Sequence, residues 1–266
     1  MNRINEKFKE LKSKNKKAFI AFITCGDPSL SKTMKIAQAL DRAGVDILEL
    51  GVPFSDPLAD GPTIQKASQR ALEHDTNLKN IFSFVNDFRK KSSLPVALMT
   101  YYNPVLYYGI EKFCRDCREN GVDGVIVPDL PVEEDARLNQ QLKKEGVASV
   151  LFIAPTSTAE RKSKAVDATT GFIYYVSLTG VTGVRRNLDA SLIEDLKETK
   201  KIAKDKPVCV GFGISTTEQI KQLKPYCDGL IVGSAIIKII EEDPKDKNIV
   251  PKIEAFAKKL AKAVHE

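Results

Sequence analysis

Short apolar runs alternate with longer amphipathic segments along most of the chain. Each run is four to seven residues long and shows little alternation between apolar and polar positions. This pattern is typical of strands buried on both faces of a parallel sheet, because neither face then meets water. The sequence predicts eight such strands: Ala18–Thr24, Asp46–Leu50, Pro95–Thr100, Gly124–Val127, Ser149–Ile153, Phe172–Val176, Pro207–Val210 and Gly229–Val232.

The segments between these runs carry apolar residues at helical spacing, most clearly in Ser31–Ala43, Glu133–Glu145 and Ser191–Lys204. The tetrapeptide Ser215-Thr216-Thr217-Glu218 fits a capping box at a helix start. Strands that alternate with helices in this number predict an α/β protein, a single (β/α)8 TIM barrel domain over residues 1–266 with an extra N-terminal helix. A doubly wound open sheet is the alternative.

Composition narrows the function classes. Lys and Arg total 41 against 35 Asp and Glu, a net charge of +6, but the charges are interleaved and no stripe of aromatic and basic residues accompanies the densest basic run, Lys12–Lys17. Nucleic-acid binding is therefore disfavoured. No run reaches the ~18 apolar residues of a membrane helix, and the N-terminus has no signal-peptide core. Five scattered cysteines indicate reduced thiols. We expect a protein of the cytoplasm or an organelle matrix that binds no membrane.

Glycine-rich loops follow the last two predicted strands. They are Gly211-Phe212-Gly213-Ile214-Ser215 and Val232-Gly233-Ser234-Ala235, each leading into a helix. In a barrel the chemistry lies at the carboxyl ends of the strands, and backbone N–H groups of such loops bind phosphate there. Ordinary glycine turns are the alternative. The sixth strand is followed by Ser177–Arg186, rich in Ser, Thr, Gly and Arg, which suits a lid over the barrel mouth.

One carboxylate interrupts the second apolar run, in Ile47-Leu48-Glu49-Leu50-Gly51. A carboxylate inside a parallel strand is buried, and without a cation its pKa should rise. Glu49 is therefore a candidate general acid/base, unless it points to solvent or is paired structurally. Asp60 lies in the long loop that follows, just before a Gly61-Pro62 corner that would aim it at the barrel mouth.

Other chemistries lack their residues. The chain has two histidines, His74 and His265, and neither follows a predicted strand, so both are expected on the surface. No His-Glu-x-x-His, Walker loop, EF-hand loop or Gly-x-Ser-x-Gly elbow occurs. The sequence therefore predicts no metal site, and it disfavours a metal hydrolase, a nucleotide kinase or a serine hydrolase.

The stretch from Leu48 to Gln65 resembles the tryptophan synthase alpha chain family, and Gly180-Val181-Thr182-Gly183 and both glycine-rich loops follow in the family's order. The resemblance covers nearly the whole chain. It implies a (β/α)8 barrel that cleaves indole-3-glycerol phosphate to indole and glyceraldehyde 3-phosphate in tryptophan biosynthesis. It implies a carbon–oxygen lyase, the class of tryptophan synthase. It also implies an α2β2 assembly in which the beta chain, not this one, carries pyridoxal phosphate and joins indole to serine.

The resemblance also implies roles for individual residues. Glu49 would be the general acid/base, and Asp60 would accept a hydrogen bond from the indole N–H and stabilise the positive charge that develops there. The loop Pro53–Asp60 and the segment Tyr101–Pro104 would contact the beta chain. The substrate pocket would be lined by Phe22, Tyr101, Ile126, Phe152, Tyr174, Thr182 and Phe212. Phosphate would be bound by Gly183, Gly213, Gly233 and Ser234.

Two other functions stay open at this stage. One is another phosphate-binding barrel enzyme, such as an indole-glycerol-phosphate synthase or a sugar-phosphate epimerase, which the loop Pro53–Gln65 disfavours. The other is a barrel that only binds and regulates a beta chain. The presence of both Glu49 and Asp60 argues against that, since a regulatory chain has no need of the two carboxylates.

Overall fold

Eight parallel strands close into a barrel, in chain order, with β8 paired to β1. The computed structural model describes residues 2–176, 190–211, 213–245 and 247–266. The predicted (β/α)8 architecture is confirmed, and the doubly wound open sheet is excluded. The strands are β1 (Ala18–Thr24), β2 (Ile47–Gly51), β3 (Val96–Met99), β4 (Gly124–Ile126), β5 (Ala148–Ile153), β6 (Ile173–Val176), β7 (Val208–Gly211) and β8 (Gly229–Val232).

Helices surround the strands, and β2, β3 and β8 are each followed by two of them. The three helices singled out in the sequence form within three residues of their expected ends. In the described residues the helices are α1 (Arg3–Ser13), α2 (Leu30–Arg42), α3 (Pro62–Leu72), α4 (Leu78–Arg89), α5 (Tyr102–Tyr108), α6 (Ile110–Asn120), α7 (Ala136–Lys144), α8 (Ala159–Ala168), α9 (Ala190–Ala203), α10 (Thr217–Leu223), α11 (Ser234–Glu242) and α12 (Ile249–His265).

The extra N-terminal helix closes the amino-terminal end of the barrel. Ile4, Phe8 and Leu11 of α1 are buried against side chains of the barrel interior. The rings of Phe8 and Phe172 lie 5.6 Å apart. Gly124 of β4 leaves room for the side chain of Ile4, since a Cβ at residue 124 would lie 2.7 Å from Cδ1 of Ile4. The helix therefore seals the end of the barrel opposite the expected site.

Two local expectations need correction. The capping box at α10 is one residue later than predicted: Thr216 Oγ1 accepts from the N–H of Gln219, and Gln219 Oε1 accepts from the N–H of Thr216. His74 is exposed as expected, but His265 is half-buried and its Nε2 lies 2.8 Å from Asp46 Oδ2. Asp46 also accepts the N–H of Phe19, so the buried carboxylate, distant in sequence, explains the histidine's position.

In the described part of the chain, no helix is both long and apolar enough to cross a membrane. Likewise, no group of three or more His, Cys, Asp or Glu side chains there is arranged to hold a metal ion. All five cysteines are buried free thiols.

The contribution of α1 to stability can be tested by shortening one of its buried side chains. Phe8→Ala removes a buried aromatic ring and should lower the free energy of unfolding by about 3 kcal/mol, as large-to-small changes in cores do. Urea unfolding measures this loss. Lys12→Ala, on the exposed side of the same helix, should change stability by no more than about 0.5 kcal/mol. A Phe8 variant as stable as the unsubstituted protein would contradict the seal.

Candidate functional site

Glu49 lies at the centre of β2, paired in register with Phe22 of β1 and Ala97 of β3. It is 1% exposed, and neither carboxyl oxygen has a hydrogen-bond partner in the described part of the chain. Burial and, to a smaller extent, the nearby charge of Asp60 raise the pKa of Glu49 to about 8. The prediction that Glu49 is buried is confirmed, and its carboxyl group is protonated at neutral pH.

Asp60 is held by hydrogen bonds on both sides. Its carbonyl oxygen accepts from Gln65 Nε2 at 2.8 Å, and its own N–H donates to the carbonyl of Pro57 at 3.0 Å. The hydroxyl of Tyr101 hydrogen-bonds to its carboxylate and accepts the N–H of Ala59 at 3.0 Å. Burial raises the pKa of Asp60 to about 6, while the bond from Tyr101 opposes that rise.

The two carboxyl groups therefore titrate at different pH. Glu49 keeps its proton at pH 7, whereas Asp60 is largely ionised. The negative charge of Asp60 disfavours ionisation of Glu49 and so helps to keep the proton there. A pair of acids whose environments push their pKa values apart supplies both a proton donor and a fixed negative charge at one pH.

Aromatic and apolar side chains surround the carboxyl groups. Phe22 of β1, Ile126 of β4 and Tyr174 of β6 are buried, and Phe152 of β5 is half-buried beside Tyr174 with the rings 4.7 Å apart. A small cavity next to Asp60 is lined by Phe22, Thr24, Gly51, Val52, Ile64, Ser68, Met99 and Tyr101. Ile126, Phe152 and Tyr174 pack together in the barrel interior, while Phe22 and Tyr101 line the cavity beside Asp60.

Two glycines at strand ends make room for these rings. The sequence analysis does not identify these glycines as part of the site. A Cβ at Gly51 would lie 2.7 Å from Cζ of Phe22, and one at Gly211 would lie 2.5 Å from Cε1 of Tyr174. Distances this short are not tolerated, so only glycine allows Phe22 and Tyr174 their places. The signal in the sequence is a glycine that ends an apolar strand, but its partner ring cannot be read from the sequence.

The candidate phosphate site consists of the loops after β7 and β8. Gly233 precedes α11, and its carbonyl accepts the N–H groups of Ile236 and Ile237. The N–H groups of the first helical residues, Ser234 and Ala235, have no carbonyl partner within a helix and suit an anion. Gly213 has a φ of +72° in the preceding loop. Thr182, Gly183 and Phe212 lie outside the described residues.

Comparisons with known proteins show the family to which the chain belongs. The family model described as tryptophan synthase alpha chain matches residues 8–265. The chain belongs to the tryptophan synthase alpha chain family. The alpha chain of Thermoanaerobacter sp. strain X514 is 43% identical over 260 residues, 98% of each chain. That of Arabidopsis thaliana is 44% identical over 265 residues, 98% of this chain and 95% of the relative.

Solved structures of the family have the same fold. The tryptophan synthase alpha subunit of Legionella pneumophila superposes with a TM-score of 0.90 at 37% identity, over 99% of this chain and 98% of that one. The Pyrococcus furiosus protein, described as an α2β2 tryptophan synthase complex, gives a TM-score of 0.86 at 39% identity, over 92% and 98%. The structural similarity therefore extends over more than nine-tenths of this chain.

The burial of Glu49 predicts how stability changes with pH. The folded-state pKa of about 8 exceeds the ordinary value of 4.5, so the folded protein keeps a proton that the unfolded chain releases between these values. The stability from protonated Glu49 is full below about pH 4.5 and is lost as the pH rises through about 8. Glu49→Gln escapes this loss, so its free energy of unfolding should rise relative to the unsubstituted protein from pH 5 to pH 9.

Urea unfolding across that pH range measures the difference, with the exposed Glu134→Gln as the control for the substitution itself. A constant difference between Glu49→Gln and the unsubstituted protein would mean that Glu49 is not protonated in the folded state.

Proposed function

We propose that this chain catalyses the alpha reaction of tryptophan synthase, the retro-aldol cleavage of indole-3-glycerol phosphate to indole and glyceraldehyde 3-phosphate. The enzyme class is that of tryptophan synthase, a carbon–oxygen lyase. The observation that carries the proposal is the pair of carboxyl groups at one barrel mouth: Glu49, buried without a partner in the described residues, and Asp60, held by Tyr101. Membership of the alpha chain family supports the choice of substrate.

The chemistry needs a proton donor at neutral pH, because breaking the carbon–carbon bond directly would leave a poor carbanion. Glu49 delivers its proton to indole C3, which gives an iminium-like ring. Asp60, as a carboxylate, stabilises the positive charge on the ring nitrogen. Glu49, now ionised, removes the proton from the substrate hydroxyl on the carbon attached to the indole ring. The carbonyl of glyceraldehyde 3-phosphate forms, the bond electrons return to the ring, and Glu49 regains its proton.

The remaining side chains bind and orient the substrate. Phe22, Tyr101, Ile126, Phe152, Tyr174, Thr182 and Phe212 form the proposed indole pocket, and Gly183, Gly213, Gly233 and Ser234 the proposed phosphate site. Binding the phosphate far from the reacting carbons fixes their position and so lowers the barrier. Since Glu49 and Asp60 provide both proton transfer and charge stabilisation, we propose no cofactor for this chain.

We propose that a tryptophan synthase beta chain docks at the same end of the barrel. Leu58, in the loop after β2, is 93% exposed, and Leu106 and Tyr107 of α5, after β3, are 47% and 98% exposed. Large apolar side chains exposed after two adjacent strands of the barrel favour an interaction surface at this end. The assembly is an α2β2 tetramer, as described for the Pyrococcus furiosus complex. The beta chain carries pyridoxal phosphate and uses the indole with serine to make tryptophan.

We place the complex in the cytoplasm or an organelle matrix. Free thiols throughout the chain support a reducing compartment.

The proposed reaction is tested by indole release from indole-3-glycerol phosphate, with and without a beta chain. We expect Glu49→Gln to lower kcat by at least about 100-fold, since an acid/base group contributes ~10²–10⁴. Asp60→Asn should also lower kcat, because the amide cannot balance the positive ring. Glu134→Gln is the matched control. If the unsubstituted protein binds the beta chain but releases no indole, the chain has a regulatory role and not a catalytic one. If Glu49→Gln keeps full activity, Glu49 is not the general acid/base.

The docking surface is tested by Tyr107→Ser. Losing an exposed aromatic anchor should weaken binding of the beta chain at least about tenfold, as truncation of an interface hot spot does. Isothermal titration calorimetry measures the affinity. Lys91→Ala, exposed near the amino-terminal end of β3, controls for a general surface change. Equal affinities for both variants would contradict this surface.

A further inference from the structure

Helix α3 follows Asp60 but has a small apolar contact with the barrel. Its fully buried residues, Ala67, Ser68 and Ala71, have little apolar surface to remove from water, and Ile64 packs only half-buried against the core. The next helix, α4, is held by much larger side chains: Leu78, Ile81, Phe82, Phe84, Val85 and Phe88. Hydrophobic burial therefore fixes the position of α3 less firmly than that of its neighbour.

An ion pair joins α3 to the end of β1. Arg70 Nε lies 2.7 Å from Asp27 Oδ1, and Arg70 Nη2 lies 2.8 Å from Asp27 Oδ2. The Asp27 side chain is fully buried and that of Arg70 is 20% exposed. Two parallel hydrogen bonds to a buried carboxylate fix both distance and orientation. An exposed pair, Lys66 with Glu241 of α11, contributes much less.

Asp27 is itself part of a fixed turn. The N–H of Gly26 donates to Oγ1 of Thr33, and that hydroxyl contacts the carbonyl oxygens of Asp27 and Ser29. Thr33 is fully buried in α2. The carboxylate that receives Arg70 is therefore anchored to both β1 and α2, so the ion pair ties α3 to the barrel wall.

The opposite end of α3 carries Asp60. Gly61 is the residue before the helix, and its carbonyl accepts the N–H groups of Ile64 and Gln65 at 3.0 Å each. Gln65 also donates its side-chain amide to the carbonyl of Asp60. A shift of α3 along or across the barrel therefore moves Asp60 relative to Tyr101 and the cavity.

We propose that Arg70, through Asp27, is a positioning residue that holds α3 and so places the carboxylate of Asp60 for the reaction. The inference rests on the proposed function, because it concerns the placing of Asp60 against the indole ring. Arg70 itself touches no reacting atom. Its effect should therefore appear in the chemical step and in binding of the indole part, and not in binding of the phosphate.

The first test compares Arg70→Lys and Arg70→Gln with Arg89→Lys. Arg89 forms a similarly buried pair with Asp123 before the amino-terminal ends of β3 and β4, with Nη2 and Oδ2 2.6 Å apart. We expect kcat for indole release to fall about tenfold in Arg70→Gln and less in Arg70→Lys, which retains one charged donor, because misplacement by about 1 Å costs up to ~100-fold. KM should change less than kcat. Arg89→Lys should keep kcat.

The second test measures ligand affinity and distinguishes an effect at Asp60 from an effect at the phosphate site. Indole-3-propanol phosphate carries both the ring and the phosphate, whereas glycerol 3-phosphate carries the phosphate alone. Calorimetry should find that Arg70→Gln weakens the first ligand severalfold and leaves the second unchanged. If Arg70→Gln does not fold, Arg70→Lys gives the same comparison.

Three results would overturn the inference: an unchanged kcat in both Arg70 variants, an equal fall of kcat in Arg89→Lys, or an equal weakening of both ligands. Failure of the proposed function looks different, since the unsubstituted protein would then release no indole.

Discussion

The carboxyl group of Glu49, removed from water without a cation beside it in the described residues, is the constraint on which the site depends. Such a group is stable in the folded protein only when it is protonated, because a buried charge without a partner is very costly. A nearby lysine or arginine would have stabilised the ionised form and lowered the pKa. The barrel instead brings a second carboxylate, Asp60, close to it. The resulting acid holds its proton at neutral pH, at some expense of stability in alkaline solution.

That constraint also shapes the strands around it. Keeping water from Glu49 requires large rings at the barrel mouth, and Phe22 and Tyr174 fit there because Gly51 and Gly211 have no Cβ. At the other end of the barrel, α1 covers the interior with Ile4, Phe8 and Leu11. The dry environment that raises the pKa of Glu49 is thus a property of the whole barrel.

The sequence predicts the strands well, because strands buried on both faces are continuous apolar runs, and it singles out Glu49 because one charge in such a run is conspicuous. Contacts between distant residues have no local signature. The Asp46–His265 contact, the place of Gly211 against Tyr174 and the bond from Ala59 to Tyr101 all join separate elements. The capping box at α10 lies one residue later than the sequence predicts, since Glu218 and Gln219 are both able to close it and the position of the helix start decides between them.

Asp60 differs from Glu49 in lying on a loop, and its surroundings explain what the loop adds. On one side, the N–H of Ala59 donates a hydrogen bond to the hydroxyl of Tyr101, and Leu58 is exposed to solvent. On the other side, Gly61 and Gln65 connect Asp60 to α3 and the Arg70–Asp27 pair. A strand residue such as Glu49 is fixed by pairing with both neighbours, whereas Asp60 is placed by these two connections. A beta chain bound at Leu58 contacts the loop two residues from Asp60. The contacts that fix α3 to the barrel then determine how far the Asp60 carboxylate moves in response.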